Sequence, residues 1–287
     1  MDKHRVLVTG SSGTLGTALV SRMAHEWDVV QLDARPPLSA THEAPGTLYT
    51  GSFLDTGLVR KAMKGVEAVV HCGAIPGSRP PLHEVVETNV QGAFNVLEAA
   101  GESDTVSRFV FISSIMWHGF HEEPEGRNVP SRLPIDETVH ATPSDCYATT
   151  KVQGEQWCKR YADWYAKPVI ALRPSHIIGA ERLDTFSPLE HEKPGRHLHD
   201  YVGVWDLVDA IERALRYNPL ERFEAFLINA DDQYSRVPSA ELVRRCFPEV
   251  SEVVRQKLDA CEGFGALVDC SKAKKRFGWQ PSYRCHR

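Results

Sequence analysis

A glycine-rich turn at residues 10–16 is the feature that most constrains the fold of this chain. An apolar stretch typical of a buried parallel strand precedes the turn at residues 4–9, and apolar residues at helical spacing follow it to residue 24. Gly10, Gly13 and Gly16 place no Cβ atoms in the way of a ligand, and a helix N-terminus offers unpaired N–H groups and a positive dipole. Strand, turn and helix together predict a binding site for the pyrophosphate of a dinucleotide.

An acidic residue, Asp33, ends the second predicted strand, about 17 residues after the turn. This spacing is typical of a carboxylate that accepts hydrogen bonds from the adenosine ribose hydroxyls. Because the same carboxylate would repel a 2′-phosphate, the pattern favours NAD over NADP. Two alternatives stay open: Asp33 could cap a loop, and the nearby Arg35 could pair with the phosphate of NADP.

Apolar runs alternate along the chain with segments of helical periodicity, without an internal repeat or a low-complexity linker. This alternation is typical of an α/β fold with a doubly wound parallel sheet. The irregular stretches 120–143 and 179–201 follow predicted strands, at the carboxyl edge where such sheets bind ligands. The predicted strands cover residues 5–9, 29–33, 68–72, 108–113, 169–173 and 225–229, and the predicted helices cover residues 15–25, 58–64, 81–100, 145–166 and 204–217.

Composition narrows the classes of partner. The 287 residues, 42% of them hydrophobic, suffice for one large domain or for a domain with a small lobe. A net charge of −5 does not suggest a surface for nucleic acid or anionic membranes. No apolar run reaches the ~18 residues of a membrane span, and residues 1–4 lead into a strand rather than a secretion signal. We therefore expect a cytoplasmic protein without nucleic-acid or membrane partners.

The cysteines and histidines do not suggest a metal site. The seven cysteines are odd in number and include no Cys-x-x-Cys pair, which is typical of reduced thiols. His191, His197 and His199 lie close together in a polar stretch but match no recognisable ligand motif. The sequence therefore predicts no metal cofactor and a solvated loop for these histidines.

Tyr147 and Lys151 form a second pair of chemically informative residues. On the helix predicted at 145–166, a spacing of four places both side chains on one face. A free phenol has a pKa near ~10, and an adjacent ammonium together with a positive nicotinamide ring would lower that pKa toward neutrality. Tyr147 could then exchange a proton with a substrate hydroxyl or carbonyl group. Ser114, at the end of a predicted strand, is the candidate that hydrogen-bonds the same substrate oxygen, whereas Ser113 is expected to be structural.

In chain order, these motifs resemble the extended short-chain dehydrogenases/reductases of the NAD-dependent epimerase/dehydratase family. The resemblance runs nearly end to end, through residues 9–16, 70–74, 89–100, 147–151, 172–174, 201–206 and 269–281. It implies a Rossmann-type doubly wound sheet at residues 1–174 and a small substrate-binding lobe at 175–287, with residues 201–230 returning to the sheet. It also implies a homodimer that pairs through helices beginning near Pro81 and Asp145.

The resemblance further implies roles for individual residues. Asp33 would bind the ribose, Ala74 would contact the cofactor through its backbone, and Lys151 would hold the nicotinamide ribose beside Tyr147. Asn89 would lie beside the cofactor, where its amide ties strand ends together or serves the structure alone. The residues implied at the pyrophosphate are Gly10, Ser12, Gly13, Thr14, Leu15 and Gly16.

Three departures from the family pattern bear on cofactor and substrate. Residues 52–55, Ser-Phe-Leu-Asp, do not match the acid that contacts adenine in many relatives, so cofactor affinity is expected to differ. Ile115 and Met116 stand where sugar-nucleotide 4,6-dehydratases carry an Asp-Glu pair, which disfavours dehydration. His176 replaces the asparagine of many nucleotide-sugar enzymes, and it is expected to bind substrate or to cap its loop.

The loop between the fifth predicted strand and residue 201 favours a compact substrate. About twenty residues separate Gly179 from Tyr201, fewer than typically enclose a uridine diphosphate in this family. Arg182 lies in this loop, and its fork geometry suits the carboxylate of a sugar acid. Met116, Trp117 and His118 are predicted to line the opposite wall, with core packing as the alternative for the first two.

The sequence thus predicts an enzyme that moves a hydride between NAD and a secondary alcohol or carbonyl carbon of a small sugar or sugar acid. Tyr147 would remove the proton, and Ser114 would stabilise the substrate oxygen. The alternative is a nucleotide-sugar 4-epimerase acting on a UDP-hexose, in which bound NAD is recycled without net reduction. A second alternative is a non-catalytic dinucleotide-binding sensor, against which the intact serine, tyrosine and lysine argue.

Overall fold

The computed structural model describes residues 3–36, 46–78, 81–119, 130–188, 198–248 and 263–286. Its strands are β1 (Arg5–Thr9), β2 (Asp28–Asp33), β3 (Thr47–Thr50), β4 (Ala68–His71), β5 (Arg108–Ile112), β6 (Val169–Pro174), β7 (His176–Ile178), β8 (Tyr201–Gly203) and β9 (Phe223–Ile228). In the described part of the chain, seven strands form a parallel sheet in the order β3-β2-β1-β4-β5-β6-β9. Strands β7 and β8 pair in parallel as a second, two-stranded sheet.

Helices connect the strands and cover the main sheet. Their bounds are α1 (Thr14–Met23), α2 (Thr56–Ala62), α3 (Leu82–Val86), a π-helical segment (Glu87–Gly92), α4 (Ala93–Glu102), a 3₁₀ helix (Ile115–His118), α5 (Cys146–Tyr165), α6 (Ala180–Leu183), α7 (Val204–Arg216), α8 (Ser239–Cys246) and α9 (Ser271–Phe277). Asp145 caps the start of α5, because its Oδ1 accepts a hydrogen bond from the N–H of Ala148 at 2.7 Å. Such a cap satisfies one of the N–H groups that a helix leaves unpaired at its start.

Alternation along β1 explains why helices cover both faces of the sheet. Val6 and Val8 join one buried apolar cluster, whereas Leu7 between them joins another. Successive side chains of a strand point to opposite faces, so a strand that is apolar at every position must be covered on both sides. Helices α1 and α7 pack together with the first cluster, and α2, α4 and α5 pack with the second.

The strand order reverses between β1 and β4, which lie side by side although two strands separate them in sequence. Connections leaving these two strands run in opposite directions and open a crevice at their carboxyl ends. In this chain those ends carry the glycine turn after β1 and the segment from Cys72 to Pro76 after β4. The topology therefore brings the glycine turn to the place where this class of sheet binds ligands.

The predicted α/β fold with a doubly wound parallel sheet is confirmed, and each of the six predicted strands is present with ends shifted by up to two residues. Strands β3, β7 and β8 were not predicted, nor were the 3₁₀ helix, α6, α8 and α9. The single helix predicted at 81–100 is instead two α-helices joined through the π-helical segment. Within the described residues no helix is long and apolar enough to cross a membrane. The domain division at residue 174 and the cytoplasmic location stay predictions.

Candidate active site

Two adjoining cavities lie at the carboxyl ends of the main strands. The first, of about 440 Å³, extends from the glycine turn to the ends of β5 and β6. The second, of about 430 Å³, extends from the same turn to the end of β2. Both are lined by Gly10, Gly13, Cys72, Ala74 and Pro76. They therefore adjoin across the strand reversal and form one cleft with the glycine turn at its centre.

The glycine turn is shaped by close backbone approaches. Gly10 has a φ of +69°, and a Cβ there would lie 2.7 Å from the backbone of Gly73. A Cβ on Gly16 would lie 2.1 Å from the carbonyl oxygen of Gly10. Gly13 differs, because its nearest heavy atom would be 3.4 Å away while the residue lines both cavities. Gly10 and Gly16 are thus required by the fold, whereas at Gly13 a side chain would project beside the cleft at the start of α1.

Asp33 holds the glycine turn against the end of β2. Its carboxylate is 5% exposed, with Oδ2 accepting from the N–H of Ser12 at 3.0 Å and Oδ1 from the N–H of Arg35 at 2.9 Å. The Ser12 hydroxyl in turn donates to the carbonyl oxygen of Arg35 at 2.8 Å. A carboxylate has about four lone-pair sites, so both oxygens keep capacity for ribose hydroxyls. Asp33 and the exposed Arg35 both line the second cavity.

Tyr147, Lys151 and Ser114 meet in the first cavity, as their spacing and strand position predict. Ser114 caps the start of the 3₁₀ helix, where its Oγ accepts from the N–H of Met116 at 3.1 Å, and its hydroxyl lies close enough to the Tyr147 phenol to act on the pKa of Tyr147. The Lys151 ammonium lies 5.5 Å from the Tyr147 ring centroid and donates to the carbonyl oxygen of Ile112 at 2.8 Å. Helix α5 and the end of β5 therefore present the three polar groups on one wall.

Burial sets the protonation of this pair. It raises the pKa of Tyr147 to about 12, although a hydrogen bond from Ser114 acts in the opposite direction. It lowers the pKa of Lys151 to about 8, against the raising effect of Cys72 and Glu155. At neutral pH Tyr147 is therefore a phenol, and further positive charge beside it would be needed to favour the phenolate. The lower pKa predicted for Tyr147 includes the charge of a bound nicotinamide ring, so it stays a prediction for the complex with NAD.

Asn89 ties the loop after β4 to helix α5. This buried residue of the π-helical segment accepts from the N–H of Ile75 at 2.7 Å and donates to the Ile75 carbonyl oxygen at 3.0 Å. It also donates to the Thr150 hydroxyl at 3.2 Å. Because Ile75 lines the second cavity, Asn89 shapes the cleft by holding the backbone of Ile75 in place. This geometry agrees with the tying role considered for its amide.

The residues predicted to bind substrate are divided between the cavity and its surroundings. Met116 and His176 line the first cavity, and Ser175, which the sequence analysis missed, lines it beside His176. Trp117 instead stacks against the Arg173 guanidinium at 3.5 Å. The remaining two are not among the described residues that line the cavity: His118 is fully buried beside Arg173, and Arg182 is exposed on α6.

A buried ion pair behind the site was also missed. Arg173 Nε and Nη2 donate to the two carboxylate oxygens of Glu155 at 2.8 and 2.7 Å, and both side chains are about 5% exposed. Glu155 follows Lys151 by four residues, so Tyr147, Lys151 and Glu155 recur along one face of α5. That recurrence was the available sequence signal. The pair anchors the middle of the catalytic helix to β6.

No group of three or more metal-ligating side chains occurs among the residues that the structure describes. His199 is buried and packs edge-to-face against Tyr234, with ring centroids 5.2 Å apart. The solvated-loop role expected for it therefore does not hold. His191 and His197 lie outside the described residues.

The sequence of this chain matches the model of a known protein family. The model of the NAD-dependent epimerase/dehydratase family matches residues 6–228, well over half of the chain. The chain belongs to the NAD-dependent epimerase/dehydratase family. The predicted resemblance is thereby confirmed, together with an NAD-dependent enzyme of the extended short-chain dehydrogenase/reductase type.

Curated relatives in this family include both reaction types considered above. A uronate dehydrogenase of Pseudomonas putida is 28% identical over 212 residues, which cover 74% of this chain and 71% of that protein. A UDP-glucose 4-epimerase of Lactobacillus helveticus is 25% identical over an aligned length of 321, which covers 97% of this chain and 92% of that protein. The predicted oxidoreductase of sugar-like compounds fits these relatives.

A solved structure agrees with the fold. A short-chain dehydrogenase/reductase superfamily protein from Agrobacterium tumefaciens with bound NAD gives a TM-score of 0.75 at 22% identity. The match covers 99% of this chain and 94% of that one. The two chains therefore share the same overall fold.

A substitution in the glycine turn tests whether this turn binds the pyrophosphate of NAD. Replacing Gly13→Ala should leave the fold intact, because the new Cβ meets only one backbone oxygen at an ordinary distance. It should weaken NAD binding about tenfold or more, since a methyl group would hold the pyrophosphate away from the N–H groups of α1. Titration calorimetry with NAD measures the change.

Gly265→Ala is the matched control, because a Cβ there meets no atom within 4 Å and the residue lines neither cavity. It should bind NAD like the wild type. An unchanged NAD affinity in Gly13→Ala would show that the pyrophosphate lies elsewhere.

Proposed function

We propose that this chain is an NAD-dependent dehydrogenase that oxidises a secondary alcohol carbon of a small free sugar or sugar acid. The observation that carries the proposal is the shared wall of the first cavity, where Ser114, Tyr147 and Lys151 meet next to the glycine turn. A proton-transfer group and a dinucleotide cradle in one cleft suit hydride transfer at a carbon bearing a hydroxyl.

In the proposed mechanism, NAD supplies the hydride acceptor when bound. The Ser114 hydroxyl hydrogen-bonds the substrate oxygen and fixes it beside Tyr147. Tyr147, as phenolate, removes the proton of the substrate hydroxyl. Lys151, held by the Ile112 carbonyl, contributes the positive charge that favours phenolate, and it would hold the nicotinamide ribose when NAD is bound. Lys151 is buried, so water screens its charge little and the charge acts strongly on the neighbouring phenolate.

A compact substrate is supported by the lining of the first cavity. Beyond the catalytic residues its wall is formed by Met116, Ser175, His176 and Ile177. Arg182 lies on the following helix α6, exposed and outside the described lining of the cavity, and we assign to its guanidinium the grip on the carboxylate of a bound substrate. The uronate dehydrogenase among the relatives supports a sugar acid as substrate.

Asp33 supports NAD rather than NADP as the cofactor of this reaction. Its buried carboxylate lies at the end of the second cavity, where it would bind ribose hydroxyls and repel a 2′-phosphate. Arg35 lies exposed on the same rim, with Nε 3.9 Å from the Asp33 carboxylate.

The second candidate is a nucleotide-sugar 4-epimerase, which the Lactobacillus helveticus relative favours because it spans 97% of this chain. The two candidates differ in their products. The deciding assay incubates the purified protein with NAD or NADP and glucuronate, glucose or UDP-glucose, while NADH absorbance and chromatography are recorded. Stoichiometric NADH from glucuronate or glucose supports the proposal, whereas a UDP-sugar isomer formed without NADH would establish the epimerase.

Removing the Tyr147 hydroxyl tests the catalytic assignment. Tyr147→Phe should lower kcat about a thousandfold, within the range that general acid–base groups contribute, because it removes the proposed proton acceptor. NAD affinity should stay near that of the wild type. Steady-state kinetics and titration calorimetry measure both, and unimpaired turnover would remove Tyr147 from the mechanism.

Substitutions of Arg182 test whether the substrate is a sugar acid with a carboxylate. Arg182→Ala should raise KM for glucuronate about tenfold or more, because a charge-assisted bidentate bond is lost, while KM for glucose stays unchanged. Arg182→Lys keeps the charge without the fork and should fall between the two. Equal kinetics of Arg182→Ala and the wild type on glucuronate would exclude the carboxylate role.

We also propose that two copies pair through α4 and α5. Trp164 is 63% exposed on α5, where its ring lies 6.3 Å from that of Trp157, which packs edge-to-face on Phe94 of α4. An apolar patch of this kind on adjoining helices is typical of an interface.

Trp164→Glu should therefore convert a dimer to a monomer in light scattering after size-exclusion chromatography, since a charge would be buried unpaired. Trp205→Glu, at a 42% exposed tryptophan on α7, is the control that should stay dimeric. A wild type that is monomeric at all concentrations would contradict the pairing.

A further inference from the structure

Helix α6 contains only four residues and directly follows the strand that lines the substrate end of the cleft. His176 and Ile177 of β7 line the first cavity, and Arg182 lies one turn beyond Gly179. The start of α6 has no side-chain cap. Because helices of this length are not stable alone, the position of α6 depends on contacts with the rest of the protein.

One such contact comes from Tyr283, a hundred positions later in the chain. Its hydroxyl donates to the carbonyl oxygen of Leu183 at 2.5 Å and lies 3.2 Å from that of Phe186. Leu183 is the last residue of α6, and the last carbonyls of a helix have no partner within it. Tyr283 therefore caps α6 from outside and also holds the chain that follows it.

Tyr283 belongs to a tail segment, residues 282–286, that is fixed on α7. Asp206, a buried residue in the first turn of α7, accepts from the N–H and hydroxyl of Ser282 at 2.9 and 2.6 Å. Its second oxygen accepts from the N–H of Tyr283 at 3.0 Å. The nearby Trp279 is fully buried, and its indole N–H donates to the Asp206 carbonyl oxygen at 2.9 Å. One carboxylate thus sets the backbone from which the Tyr283 ring extends.

The other end of the tail segment is fixed on β8. The N–H of Cys285 donates to the Tyr201 hydroxyl at 2.6 Å, and that hydroxyl donates to Asp232 at 2.5 Å. The second Asp232 oxygen accepts from the N–H of His286 at 2.8 Å. Residue 283 therefore lies between two hydrogen-bonded anchors, and its ring has little freedom to move.

Aromatic packing completes the connection. The Phe186 ring lies 5.2 Å from that of Tyr201, and the Tyr283 ring meets Tyr201 edge-to-face at 6.0 Å. Leu183 packs in the same small apolar cluster. The segment from α6 to Phe186 is therefore held by Tyr283 through polar and apolar contacts together.

We propose that Tyr283 is a positioning residue for the substrate. By holding the carbonyls of Leu183 and Phe186, it fixes α6 and sets the direction from which Arg182 reaches a substrate carboxylate. This inference rests on the proposed function, because it acts through the role given to Arg182. Tyr283 is not among the described residues that line either cavity.

Tyr283→Phe tests the proposal because it removes only the hydroxyl. KM for glucuronate should rise about three- to tenfold, which corresponds to one lost hydrogen bond, while kcat and NAD affinity stay unchanged. Amide hydrogen exchange should become faster in peptides covering residues 179–188 and stay the same in peptides covering α5. Tyr217→Phe is the matched control, since that hydroxyl donates to Glu224 at 3.0 Å, away from both cavities, and its loss should change neither measurement.

The double variant with Arg182→Ala identifies the route of the effect. In that background Tyr283→Phe should raise KM no further, and a rise by the same factor as in the wild type would overturn the action through Arg182. If amide hydrogen exchange at residues 179–188 is the same in Tyr283→Phe as in the wild type, Tyr283 does not anchor α6. That result would leave the proposed function intact. If the wild type does not oxidise glucuronate, the proposal of a sugar-acid substrate fails, and the role of Tyr283 in positioning that substrate fails with it. This result differs from a failure of the anchoring alone, in which the wild type still oxidises glucuronate.

Discussion

The reversal of strand order between β1 and β4 is the constraint on which the rest of this molecule depends. It requires the backbones after the two strands to approach closely, and a Cβ on Gly10 would lie 2.7 Å from Gly73. Because the adjoining connections leave in opposite directions, the crevice is a consequence of the topology. Ser114 at the end of β5 and Ser175 after β6 reach the same crevice, since parallel strands present all their carboxyl ends on one edge.

A second constraint fixes the helix that crosses this edge. Tyr147, Lys151 and Glu155 lie along one face of α5, and the last of them forms a bidentate buried pair with Arg173 of β6. Losing one partner of such a pair costs about 3–5 kcal/mol, because the other charge stays buried alone. The pair therefore fixes the rotation of α5, and that rotation brings Lys151 to the Ile112 carbonyl and Tyr147 to Ser114. A structural ion pair and the chemistry of the cleft are thus parts of one arrangement.

Sequence reasoning succeeded where a pattern is local. The glycine turn and the tyrosine–lysine spacing each lie within a few residues, and buried strands such as β1 are apolar throughout. It missed β3, whose four residues are all half-exposed or exposed, and it missed β7 and β8, which are only three residues long. Spacing also does not reveal burial, which raises the pKa of Tyr147 in the protein without NAD. Trp117 was expected in the substrate wall, but its partner is 56 positions away in β6.

The two ends of the cleft also differ in whether local sequence patterns or long-range contacts determine them. The end that carries the glycine turn is built from long elements of the main sheet, and its requirements are backbone geometry and one carboxylate. The other end is built from β7, β8, α6 and the tail segment, none of which is stable without partners far away in sequence. Changes in those short elements alter what reaches Tyr147 without disturbing the sheet that holds the dinucleotide. In this architecture the cofactor follows from the fold, whereas the substrate follows from the long-range contacts that hold a few short segments over it.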